Sequence, residues 1–244
     1  PAWQRDDPQL TAARYLVWIF ALDDLSDDWS LPLPELLARY ATFRAVAAGA
    51  LPPPGDGEAA LLHEIVAELS VLPLWPLLAE TWRASLGDIL DGMAAERDPS
   101  PRASLEAYMA LAHLSIGAMQ DAWTVLMLLG DDTVAGQIPE ITAALRAEAR
   151  VIRLSNDLNS ADKELLEGKQ NALTVLAAHG DGRALTEAAL ERAIPDFHAA
   201  MARVHTASGR FERCITTTAE ATVAFYRKHT FHEYDHSAEP RTEN

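Results

Sequence analysis

The segment Asp23-Asp24-Leu25-Ser26-Asp27-Asp28 crowds four carboxylates directly behind the apolar run from Leu16 to Leu22. On a helix, Asp23 with Asp27 and Asp24 with Asp28 stand one turn apart on a shared face and repel by roughly 0.2–0.5 kcal/mol a pair. They also oppose the negative pole of a helix that ends there. Either water or a cation must offset that charge. Hard oxygen ligands on one helical face suit Mg2+, which keeps most of its waters. The apolar run before the acids would set them at the lip of an apolar interior.

A second polar cluster runs from Arg153 to Glu164. Asn, Asp and Ser are poor interior helix residues because their side chains compete for the backbone. Their density here breaks local consistency in the way a site does. Asn156, Ser160 and Glu164 fall at spacing four, so an amide oxygen, a hydroxyl and a carboxylate stack on one stripe and together can hold one metal ion. Taken singly, each is equally a polar position on a surface helix. Arg153 and Lys163 flank the stripe and are either surface charges or contacts for an anion.

Positioning both clusters requires long helices. Between breakers such as Pro52-Pro53-Pro54-Gly55 and Gly180-Asp181-Gly182, apolar residues recur at three and four in Ala-, Leu-, Glu- and Arg-rich stretches. That pattern predicts an all-α chain with helices at 9–28, 34–48, 57–70, 74–96, 103–129, 139–167, 170–179, 182–206 and 209–234. No alternating strand pattern competes, and no linker separates two compositions, so 1–244 reads as one domain with 236–244 as a polar, mobile tail.

The 244 residues carry 20 Lys and Arg against 36 Asp and Glu, a formal charge of −16. A chain this acidic repels nucleic acid and anionic lipid, and a phosphate-bearing ligand would need metal ions to approach it. Cys214 is the single cysteine, which excludes a disulfide framework and a cysteine-based zinc site and fits a reducing, cytoplasmic setting. Seven apolar residues in a row fall far short of the roughly 18 or more that span a bilayer.

Together the two clusters resemble the motifs of class I terpene synthases. Asp23-Asp24-Leu25-Ser26-Asp27 is similar to the aspartate-rich DDxxD motif, and Asn156, Asp157, Ser160 and Glu164 to the NDxxSxxxE motif, with Lys163 before its final Glu as in many members. The resemblance implies an antiparallel helical bundle around an apolar pocket, with Asp23, Asp24, Asp27, Asn156, Ser160 and Glu164 catalytic. Asp23 and Asp27 would hold two Mg2+ ions, and Asn156, Ser160 and Glu164 a third. The ions would clamp a prenyl diphosphate substrate, and the enzyme, expected as a homodimer, would release diphosphate and cyclise the carbocation. Twenty-carbon, diterpene substrates are favoured over farnesyl diphosphate.

Arg153, Lys163, Arg241 and His113 are the residues implied for the diphosphate. Arg241 matches the family's C-terminal Arg. His113 stands where members carry a diphosphate-sensing Arg, four residues before Gly117. Trp18 and Trp82 are expected to line the pocket, ahead of Phe20, Trp75, Trp123, Phe225 and Tyr226. The alternative is a degenerate, non-catalytic helical protein that binds a prenyl ligand or a partner. Metal-dependent turnover separates the two.

Overall fold

The computed structural model describes residues 8–98, 100–166 and 168–228. Among these described residues ten α-helices follow in order: α1 (Pro8–Asp27), α2 (Leu33–Ala47), α3 (Gly57–Ser70), α4 (Trp75–Glu96), α5 (Leu105–Ser115), α6 (Ala118–Leu129), α7 (Ile138–Leu166), α8 (Ala172–Leu176), α9 (Gly182–Met201) and α10 (Arg210–Tyr226). Among the described residues there is no strand, and no helix is long and apolar enough to cross a membrane. The expected all-α antiparallel bundle is what forms.

Helix starts follow from side chains that accept the first free backbone N–H groups. Asp56 accepts from Ala59, Ser104 from Ala107 and Asp181 from Ala184, while α2 and α4 begin with Pro at their first turns. The expected helix at 103–129 is divided. Gly117 adopts φ +73, a left-handed conformation that ends α5 and starts α6, and a side chain there would be strained. The close packing of α4 against the end of α5 depends on Gly92, where a Cβ would come within 2.8 Å of the Ser115 backbone nitrogen. The helix expected at 182–206 stops at Met201, and the turn after it is closed by the Thr206 N–H and hydroxyl, which donate to Glu212.

The core is built around fully buried Trp18, Trp82, Trp123, Phe43, Phe197 and Phe211. Each buried aromatic removes a large apolar area from water, the dominant favourable term in folding. The long α7 packs against α5, α6, α9 and α10, and α1 packs against α3 and α6. This leaves one end of α1 and the C-terminal half of α7 facing a common space.

Candidate active site

The acidic end of α1 is held from outside by arginine. Arg97, just beyond α4, donates from Nε to the Ser26 carbonyl (2.9 Å) and through its terminal nitrogens to the carbonyls of Asp28 (2.8 Å) and Leu31 (3.2 Å). These carbonyls lie at and just beyond the negative pole of α1, and a guanidinium there offsets the charge that the four aspartates concentrate. Ser26 faces inward, its hydroxyl on the Leu22 carbonyl and 2.7 Å from the Tyr40 hydroxyl. Asp23, Asp24 and Asp27 face the cavity instead. Burial, with Asp27 and Glu96 adding like charge, pushes the Asp23 carboxyl up to about 7. A cation beside it would relieve both effects.

On α7 the stripe is pre-arranged by hydrogen bonds. Ser160 Oγ donates to Glu164 Oε1 (2.9 Å), and Asn171 Nδ2 donates to Glu164 Oε2 (2.7 Å) and to the Asp157 carbonyl (2.9 Å). The Tyr226 hydroxyl bonds the Asn156 side chain. Asp157 points the other way, fully buried. It accepts from the Tyr108 hydroxyl (2.9 Å) and the Ala172 N–H (3.0 Å) and pairs with Arg153 Nε at 2.8 Å. Arg153 also reaches Glu96 at 3.2 Å. Asp157 therefore anchors the start of α8 and the Arg153 guanidinium, leaving Asn156, Ser160 and Glu164 for the open side.

A single cavity of about 570 Å3 joins the two clusters. Asp23, Asp24, Asp27, Arg153, Asn156, Ser160, Lys163 and Glu164, all expected at the site, line it together with Lys169. Much of the remaining lining is apolar, with Leu16, Ile19, Phe20, Leu111, Ile116 and Ile152. The α5–α6 break at Gly117 is part of that wall.

Three expected residues lie elsewhere. Trp18 and Trp82 are core, not pocket: the Trp18 indole donates to the Glu58 carbonyl (3.1 Å), and that of Trp82 to Thr124 Oγ1 (2.9 Å). Burying an indole requires such a partner for its N–H, and in each case that partner lies away from the cavity. His113 does not line the cavity either, and its Nδ1 is engaged by the Met109 carbonyl one turn back. Arg241 and the expected tail at 236–244 lie outside the described residues. The sequence reading missed Lys169, whose Nζ is 2.6 Å from Asp27 Oδ1. It also missed Asp121, an isolated acid in the apolar stretch from Ala118 to Leu129.

Whether the donors suit a metal is a matter of their chemistry. Among the described residues no three His, Cys, Asp or Glu side chains converge on one point. A cation here would draw on mixed oxygen donors from α1 and α7, with water or ligand oxygens completing its shell, which is how Mg2+ is usually held. The hydrogen bonds behind Glu164 are those that orient a ligating carboxylate. The residues present fit such an ion.

A family model described as terpene synthase family 2, C-terminal metal binding, matches residues 14–203. No curated protein matches the chain by sequence. Solved structures with the same fold include a variant of SVS_A2, a protein from ancestral sequence reconstruction (TM-score 0.73, 17% identity, covering 91% of this chain and 70% of that one). A variant of cucumene synthase follows (TM-score 0.71, 19% identity, 89% and 78%). The linalool/nerolidol synthase from Streptomyces clavuligerus matches with TM-score 0.65 and 16% identity over 88% of this chain and 77% of that one. It has also been solved with 2-fluorogeranyl diphosphate. With a metal-binding family matched over most of its length, the chain belongs to terpene synthase family 2.

Proposed function

We propose that this terpene synthase is an Mg2+-dependent class I enzyme, acting as a single domain, that ionises an allylic prenyl diphosphate and converts the carbocation to a terpene hydrocarbon or alcohol. The observation that carries the reading is the joining of two clusters, far apart in the chain, at one cavity whose remaining lining is largely apolar. Asp23 and Asp27 on one side and Asn156, Ser160 and Glu164 on the other are the proposed metal ligands. Bound Mg2+ would supply Lewis-acid stabilisation of the departing diphosphate. Arg153, Lys163 and Lys169 bring positive charge to the same mouth, where donors aimed at developing negative charge are most effective. The apolar wall excludes water from the cation that remains, and Phe20 offers it an aromatic side chain.

The substrate class proposed is geranyl, farnesyl, geranylgeranyl or copalyl-type diphosphate, with the twenty-carbon members first in line. Geranyl diphosphate joins the panel because a protein of similar fold has been solved with 2-fluorogeranyl diphosphate. Purified protein incubated with each, with Mg2+ and with EDTA, and analysed by gas chromatography with mass detection, tests this directly. A terpene formed only with Mg2+ supports the reading and gives the chain length. One observation favours the non-catalytic alternative: His113, at the place of the sensing Arg, faces away from the cavity. A folded protein that binds prenyl diphosphates with Mg2+ but never releases diphosphate would establish that alternative.

A further inference from the structure

Besides the carboxyls of the mouth, Glu96 and Asp98 among them, the cavity wall holds that of Asp121 in the first turn of α6, just after the break at Gly117. No described residue gives its carboxyl a hydrogen bond or an ion pair. Its electrostatic neighbours come from three other helices: Tyr15 on α1, Glu148 on α7 and Cys214 on α10. None of the mouth residues is among them. Glu148 lies two turns before Asn156 on α7, about 12 Å along the helix axis, so Asp121 belongs to the inner part of the cavity.

An ionised carboxylate half-buried in a wall without a partner is costly, because the charge has lost part of its water and gained nothing in return. The positive pole at the start of α6 favours its charged form. Burial alone accounts for the rise of Asp121 to about 6, whereas Glu148 is pushed up well beyond the usual range by burial and then by Asp121 itself. At neutral pH, then, Asp121 is charged. The wall at α6 thus presents a negative charge to a species inside the cavity.

We propose that Asp121 is a catalytic carboxylate of the carbocation phase, ending the reaction by accepting a proton from the carbon next to the cationic centre. This rests on the synthase reading above. In that step the adjacent C–H bond breaks, its electron pair becomes the new carbon–carbon π bond, and the proton forms an O–H bond with the carboxylate. The acid so formed returns its proton to water when the product leaves. A base with a pKa near the working pH is the effective kind.

The test is Asp121→Asn, which keeps the shape and removes the charge, assayed for diphosphate release and for terpene products with Mg2+. The expected result is diphosphate release within about threefold of wild type and a fall of about tenfold or more in the principal alkene, with other alkenes or alcohols in its place. An unchanged product distribution overturns the proposal, as does a parallel loss of diphosphate release and product, which would put Asp121 in ionisation. Should the variant not fold by circular dichroism, binding of a prenyl tertiary ammonium, a carbocation mimic without diphosphate, compares wild type with Asp121→Ala. Equal affinity there overturns it. Absence of diphosphate release from wild type with every prenyl diphosphate overturns the synthase reading, and this inference with it. Release with an unaltered variant profile overturns this inference alone.

Discussion

Lys169 Nζ lies 2.6 Å from Asp27 Oδ1, tying the segment after α7 to the last turn of α1 across the mouth of the cavity. A lysine thus already holds one of the proposed metal-binding carboxylates. Lys169→Met removes the competing cation, and Mg2+ without substrate is expected to bind about two- to fivefold more tightly by titration calorimetry, the scale of a partly exposed ion pair. Weaker binding would mean that Lys169 organises the carboxylate rather than competes for it.

Asn171 is buried and donates both to Glu164 and to the Asp157 carbonyl. Asn171→Ala should leave Glu164 with only one of its two orienting bonds, that from Ser160, and lower Mg2+ affinity by about 10- to 100-fold. It also removes the capping side chain of α8, so thermal unfolding should show a loss of about 1–3 kcal/mol. Unaltered metal affinity with lowered stability would make Asn171 purely structural.

Phe20 lines the cavity and Trp82 does not. Phe20→Ala is expected to change the product mixture with little effect on stability, because the side chain is 47% exposed. Trp82→Phe leaves the Thr124 hydroxyl without its indole donor and opens space in the core, so it should lower stability by about 1–3 kcal/mol and leave the products as they were. The reverse pattern would return Trp82 to the pocket.

Asp121 gives a pH signature in stability. Burial raises its folded value to about 6 from an ordinary value near 4, so between these pH values the folded chain binds a proton that the unfolded chain has lost. Its contribution therefore falls as pH rises through that window and is fully unfavourable above pH 6, by up to about 2–3 kcal/mol. Asp121→Asn should unfold at higher temperature than wild type at pH 7.5, with the gain gone by pH 4. A destabilised variant at pH 7.5 would show that the carboxylate has a partner in the fold.

The helices and both polar clusters were legible in the sequence because they rest on local rules. Apolar periodicity marks the buried faces, and spacing of four places Asn156, Ser160 and Glu164 on one stripe. The break at Gly117 was not legible, since the run from Leu105 to Leu129 satisfies helical periodicity throughout and only the positive φ of one glycine divides it. Trp18 and Trp82 were misplaced for a related reason. A tryptophan at a buried helical position looks the same whether its face meets another helix or a cavity, and the partners that decide it, Glu58 and Thr124, are distant in sequence. Lys169 and Asp121 carried no motif, and only the packing of α1, α6 and α7 gives them a role.

The account stands on Asp23 and Asn156 serving one site. Its most direct test is the rate of diphosphate release from an accepted prenyl diphosphate as a function of Mg2+ in wild type, Asp23→Asn and Asn156→Ala. The prediction is Mg2+-dependent release in wild type and a fall of roughly 10²-fold or more in each variant, with helicity by circular dichroism unchanged. Wild-type rates in either variant, or release that persists in EDTA, would contradict it.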